Sequence, residues 1–239
     1  PQTFRKTPNV VTPVSPEKIK ELMAAEWALF SKSTFASGVE STIAKDSSPL
    51  GVTSSFQYWD PYPISVVSAK GAWMTDVDGR QLLDLSMGFG AMLAGHLNEE
   101  VIAETKAALD GGTLFVTPSP ISRDGAVRLC KRFGIDKVRF ANSGTEATMY
   151  AVRTAKAYNG KSAIVKLEGG YHGSYDPLTV SAKPDLDKAG NPEEPNSVVG
   201  HGINVGVVFV VPFNNLPALE KVFARDHESI SCFILEPVL

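Results

Sequence analysis

This sequence predicts an α/β fold built on a mostly parallel sheet, and three observations carry that prediction. Short apolar runs alternate with stretches of helical period after Gly134. The 239 residues are 43% hydrophobic and 21% charged, enough to bury a sizeable core. Only Cys130 and Cys232 are present, too few for a disulfide framework or a four-cysteine metal site. Strands are expected at Lys137–Ala141, Ala163–Leu167, Val207–Val211 and Cys232–Leu235, with helices over about 145–158 and 216–225. Helices cover both faces of such a sheet, and ligands bind at the carboxyl ends of its strands.

Upstream of that alternation the elements are different. Ser15-Pro16-Glu17 opens a helix over about 16–31, along which Ile19, Leu22, Met23, Trp27 and Phe30 recur at helical spacing. Residues 31–63 hold no sustained period and read as an irregular, cleft-lining segment, too aromatic at Phe56, Tyr58, Trp59 and Tyr62 to be a plain linker. Ile64–Val67, Ala72–Thr75 and Gln81–Leu85 then form a small antiparallel meander, turned at Asp76-Val77-Asp78-Gly79. Helices follow over 99–109 and from Ser119-Pro120 to near Gly134. The domain division expected is 1–87 for the helix, cleft-lining segment and meander, and 88–239 for the sheet-bearing part. Between Ser181 and His201 a charged stretch with three prolines reads as a long loop.

Charge excludes little but helps. Twenty-three basic against 26 acidic side chains leave a net charge of −3, with no basic field to draw nucleic acid or an anionic membrane. No apolar run approaches the ~18 residues that span a bilayer, and the sparse cysteines fit a reducing, cytoplasmic setting. The four histidines are scattered without metal-ligand spacing, so no metal is expected. Gly160-Lys161-Ser162 lacks the earlier glycine of a P-loop, since Ala155 holds that place. Gly88-Phe89-Gly90 lacks the third glycine of a dinucleotide fingerprint, since Leu93 stands there.

Two clusters carry chemistry. In Arg139-Phe140-Ala141-Asn142-Ser143-Gly144-Thr145-Glu146-Ala147 an apolar run meets a helix through Ser-Gly-Thr. Free N–H groups, two hydroxyls and the positive helix end there converge on one point that suits a phosphate. The same residues would equally serve as a plain helix cap, and both readings stand at this level. In Glu168-Gly169-Gly170-Tyr171-His172-Gly173 a strand end rich in glycine leaves Tyr171 and His172 where a planar ligand could lie against a ring. Together they suggest an aromatic cofactor bearing a phosphate.

These motifs, with Leu235-Glu236-Pro237-Val238 downstream and Gly71-Ala72-Trp73, Asp84 and Gly95-His96 upstream, resemble the class III aminotransferases. Those are pyridoxal-phosphate enzymes of fold type I, and the resemblance is nearest to the glutamate-1-semialdehyde aminomutase-like branch. It implies that 88–239 is the first part of a three-layer large domain. It also implies pyridoxal 5'-phosphate as cofactor and a homodimer. Carried over residue by residue, Ser143, Gly144 and Thr145 resemble the phosphate cradle, Tyr171 the aromatic residue near the pyridine ring, with His172 beside it. Glu236 resembles the glutamate of the family's Glu-Pro motif, while a structural carboxylate remains an equal reading. Glu146 and Asp84 are assigned to structure. The loop after the Tyr-His turn falls where aminomutase-like enzymes have a gating loop.

The resemblance further implies that the lysine forming the resting imine, and the acid facing the pyridine nitrogen, lie beyond Leu239; Lys137, Lys156, Lys161, Lys183 and Lys188 read as solvated charges. Substrate choice is where the sequence departs from the aminomutases. Their Gly-Val-Asn-Ser-Pro-Val-Arg segment corresponds to Gly51-Val52-Thr53-Ser54-Ser55-Phe56-Gln57, so Gln57 stands where an arginine would pair with a carboxylate. Phe89 likewise replaces a tryptophan. Ser54, Gln57 and Phe89 are therefore the candidate substrate residues. The function expected is amino transfer between an amine or amino compound and a keto acid. Glutamate-1-semialdehyde 2,1-aminomutase is the alternative, and a non-catalytic binding module is the reading from another class.

Overall fold

A computed structural model describes residues 14–184 and 206–238, which fall into two compact units divided between Val116 and Thr117. Of the loop read over Ser181 to His201, residues 185–201 lie outside the described residues.

The first unit opens with α1, Pro16–Ser33, whose N-terminus is capped by Ser15 accepting from the Lys18 N–H, with proline at the first helical position where no N–H is needed. A second helix, α2, spans Phe35–Ala44, and single 3₁₀ turns follow at Pro49–Gly51 and Ser55–Gln57. This corrects the irregular reading of 31–63. Ser37, Gly38, Ser41 and Thr42 are poor helix formers, and the element depends on help from outside itself. The Asp78 carboxylate accepts from the Ala36 N–H at 2.7 Å, the Ser37 N–H at 3.1 Å and the Ser37 hydroxyl at 2.7 Å. An acid is thereby placed on the positive end of α2. Burial pushes the Asp78 carboxyl up, but the Ser37 hydroxyl and these two amides outweigh it and hold it below its usual range.

Three antiparallel strands complete the meander in the order β1 (Val66–Lys70), β2 (Trp73–Asp76), β3 (Gln81–Leu83). The β2–β3 turn is closed by Asp76, which accepts from the N–H groups of Asp78 and Arg80 and from Arg80 Nε at 2.7 Å. Helix α3, Glu99–Asp110, begins at Asn98, whose side chain accepts from the Val101 N–H.

The second unit begins with α4, Pro120–Phe133, and continues through α5, Gly144–Asn159. Lys137–Ala141, expected as a strand, is irregular instead. Arg139 and Phe140 are exposed and the run pairs with no strand among the described residues, so its apolar pattern lacks a neighbouring ladder to satisfy its backbone. Then come β4 (Ala163–Leu167), the short α6 (Asp176–Thr179), β5 (Val208–Val211), α7 (Leu216–Asp226) and β6 (Ile230–Ile234). Both neighbours of β4 run parallel to it, in the order β5-β4-β6, with Ile164 opposite Val208 on one side and Cys232 on the other.

Period-two alternation divides the core of this unit into two faces. Ala163, Val165 and Leu167 pack with Val211, Val222 and Ile230 on the α7 side, while Ile164 packs with Val152 of α5 and Leu178 of α6 on the other. The result is a sheet between two helical layers, the α/β arrangement expected. Every residue of β4 is buried, which explains its continuous apolar run; the exception in that run is Lys166.

Candidate functional site

The candidate site lies in the second unit, where β4 and β6 end and α5 begins. Ser143 is the N-cap of α5: its Oγ accepts from the Glu146 N–H at 3.1 Å, and Glu146 Oε2 in return accepts from the Asn142 N–H at 2.6 Å. This reciprocal box satisfies two donors at the helix start. It leaves the N–H groups of Gly144 and Thr145 without a protein acceptor among the described residues. No atom lies within 4 Å of where a Cβ on Gly144 would be, so the backbone is open there. Capping and cradle are thus compatible, because the cap uses Ser143's lone pair and its O–H remains able to donate.

The Tyr-His turn is brought onto this helix end by packing. A Cβ on Gly173 would come within 2.5 Å of Thr145 Oγ1 and 2.7 Å of Thr145 Cα, and Gly173 has a φ of +86°. Only glycine meets both constraints. The Ser174 N–H donates to Thr145 Oγ1 at 3.0 Å, and the Thr148 hydroxyl donates to the His172 carbonyl at 2.7 Å. From the other side, Glu236, just past β6, accepts from the Tyr171 N–H at 3.2 Å. Ser143, Gly144, Thr145, Tyr171, His172 and Glu236 are therefore neighbours through this one turn. The Tyr171 side of the turn is half-exposed, whereas His172 is buried and its Nε2 has no partner among the described residues. Burial above all, then the positive charge of Lys166, holds the His172 pKa below its usual value, against a smaller upward pull from Glu236. The imidazole is therefore neutral at neutral pH.

Ser54, Gln57 and Phe89 lie in the first unit. Gln57 Oε1 accepts from the Thr53 N–H at 3.2 Å and the Thr53 hydroxyl at 2.8 Å. Ser54 precedes the 3₁₀ turn that carries Gln57, and Phe56 of that turn meets Phe89 edge-on with ring centroids 5.9 Å apart. Gln57 lines a cavity of about 850 Å³ with Trp27, Phe30, Trp59, Asp60 and Tyr62, and among the described residues no Lys, Arg or His lines it. Asp84 accepts from the Ser86 and Met87 N–H groups and lies 2.7 Å from His96 Nε2, contacts that fix the chain after β3. Two residues passed over at the level of sequence also bear on the site. Gly173 was legible only as part of a glycine-rich turn, and Lys166 had one signal, a lysine inside an apolar strand.

With this geometry in hand, the family model for class III aminotransferases matches residues 56–239. The chain belongs to that family. It is 38% identical over 202 residues to the glutamate-1-semialdehyde 2,1-aminomutase of Methanocorpusculum labreanum, covering 83% of this chain. It spans 47% of that relative, about half its length. Among solved structures, the fold superposes on an omega-transaminase from Sphaerobacter thermophilus with a TM-score of 0.79 at 30% identity, covering 84% of this chain and 47% of that one. A transaminase with PLP bound gives a TM-score of 0.79 at 34% identity, with 86% and 48% covered. The class III assignment agrees with the resemblance seen in the motifs, and the α/β fold of the second unit is that of the family's transaminases. Among the described residues, no helix is long and apolar enough to cross a membrane.

Proposed function

We propose that the full-length protein is a pyridoxal-phosphate-dependent aminotransferase that moves an amino group between an amine or amino compound and a keto acid. In this reading residues 88–239 form the first part of the cofactor-binding domain, and 1–87 precede it. The observation that carries it is the contact of Gly173 with Thr145, which closes the Tyr-His turn onto the open start of α5. The fit to the cofactor rests on that arrangement. The Gly144 and Thr145 N–H groups and the Ser143 and Thr145 hydroxyls supply donors at a positive helix end, as a phosphate dianion requires. When bound, pyridoxal phosphate acts as an electron sink for the substrate's α-carbon.

The chain's own residues hold and orient. Ser143, Gly144 and Thr145 would hold the phosphate and Tyr171 would meet the pyridine ring, with the neutral His172 beside it in the turn. Glu236 fixes the turn through the Tyr171 N–H. Ser54, Gln57 and Phe89 are assigned to substrate choice, as the sequence suggests. The Gln57 side chain cannot neutralise a carboxylate, and among the described residues the cavity it lines bears an acid, Asp60, and no cation. That supports an amine or an amino compound without a carboxylate next to the reacting carbon. The protein is read as a cytoplasmic homodimer on its two unpaired cysteines and on its family.

The aminomutase reading is favoured by the 38% identity to the Methanocorpusculum protein. Turnover of a panel of amines with pyruvate, against turnover of glutamate-1-semialdehyde, separates the two. Conversion of amines supports the transaminase; strong conversion of the semialdehyde with none of the amines overturns it. The cradle is tested by Gly173→Ala, which is expected to weaken cofactor binding by about 100-fold in a fluorescence titration. Unchanged affinity would remove the turn from the site.

A further inference from the structure

Lys166 is fully buried in the central strand, on the face it shares with Ile164, beneath α5 and α6. A lysine in such a place needs partners, because an unpaired buried ammonium is among the costliest groups a core can hold. Its Nζ donates to the Gly170 carbonyl at 3.0 Å and to the Val180 carbonyl. Those acceptors belong to the two ends of one excursion of the chain. Gly170 lies in the turn that carries Tyr171 and His172, and Val180 lies just past α6. A further bond, from the Gly169 N–H to the Ser181 carbonyl at 2.8 Å, runs beside them.

We propose that Lys166 is a positioning residue: its buried ammonium clasps the carbonyls of Gly170 and Val180 and so fixes the Tyr171–His172 turn against the start of α5. The proposal rests on the cofactor reading above for its functional meaning, but the clasp itself is independent of it. The charged and titratable groups around Lys166 are Glu236, past β6, which stabilises the ammonium, and His172, whose pKa burial lowers most and the ammonium lowers further. Burial pulls the Lys166 pKa down to about 8, with Glu236 pulling back, so the group is largely charged at neutral pH. Lys166 acts through the backbone of the turn and through its field on His172.

The test uses the full-length holoenzyme with Lys166→Met and Lys166→Arg. Removing the ammonium leaves two buried carbonyls unsatisfied, so amide hydrogen exchange across 169–173 is expected to quicken about tenfold or more in K166M. Exchange in β4 and α7 stays unchanged, and K166R restores most of the protection. The absorbance of bound pyridoxal phosphate then titrates at a higher pH in K166M, because a nearby positive charge is gone, and returns in K166R. Unchanged exchange across the turn in K166M overturns the proposal. So does loss of protection in K166R equal to that in K166M. Should K166M fail to fold, the unsubstituted protein still decides the matter: protection of 169–173 comparable to β4 supports the clasp, and exchange as fast as an open loop overturns it. A protein that takes up no pyridoxal phosphate would refute the cofactor reading, while the exchange data would still judge the clasp.

Discussion

The two units of this protein are held by different forces. Among the described residues, the buried positions of the first unit are Thr34, Ser37, Ser41, Asp76 and Asp84, all polar. The buried hydrophobic residues, from Val152 to Ile230, all belong to the second. Carboxylates pin the first unit together: Asp78 to the start of α2, Asp76 to Arg80, Asp84 to the His96 loop. A sheet between two helical layers builds the second. Net hydrogen bonds contribute only about 0.5–1.5 kcal/mol each, whereas a fully buried Val, Leu or Ile contributes about 1.5–3 kcal/mol. Polar pins therefore set shape in the first unit, and apolar burial supplies stability in the second. The proposed cofactor site sits on the part with the firmer core, as its geometry demands.

The sharpest way to break this contrast is Ile164→Ala. It hollows the centre of the second unit's core and should cost about 3 kcal/mol in a urea titration of the full-length protein. A loss under 1 kcal/mol would show that the core is not where stability resides.

Next in size is a pH effect from Lys166. Its pKa in the fold is lowered to about 8 from the usual 10.5, so above pH 8 the unfolded chain binds more protons than the folded one. This group therefore adds stability as pH rises through that interval, about 2 kcal/mol between pH 8 and about pH 10. The unsubstituted protein should gain that much over K166M across the same range; parallel pH profiles would contradict it.

The smallest effect expected is that of Asp78→Ala, which removes three hydrogen bonds from the start of α2. The loss should be about 1–2 kcal/mol, confined to faster exchange over 35–44, with cofactor binding untouched. Global destabilisation as large as that of Ile164→Ala would mean that the polar pins carry the fold after all.

The same contrast governs what could be read from sequence. In the second unit local pattern and final structure agree, because burial imposes period: the strand at Ala163–Leu167 and the helix from Gly144 were legible from apolar spacing and a capping serine. The failure there is instructive. Lys137–Ala141 has the composition of a strand but, among the described residues, no ladder to join, and pairing is a property of neighbours. In the first unit α2 was missed because its stabiliser, Asp78, lies far along the chain and its own residues favour turns. At the site, Ser143, Thr145, Tyr171 and Glu236 were visible as motifs. What brings them together was not, since the fit of Gly173 on Thr145 and the reach of Lys166 to Val180 are packing facts with no local signature.

The order of strands also bears on how the protein is made. β4 is the middle strand of its sheet, yet both of its ladders are supplied by segments that follow it, β5 from Val208 and β6 from Ile230. While the ribosome is still adding the residues between, β4 emerges as a ribbon apolar but for one lysine, with two open edges. Parallel pairings over such separations form slowly, and an exposed strand of this kind invites association with other nascent chains. Lys166, set in the midst of that ribbon, places a charge there during the interval before its partners arrive.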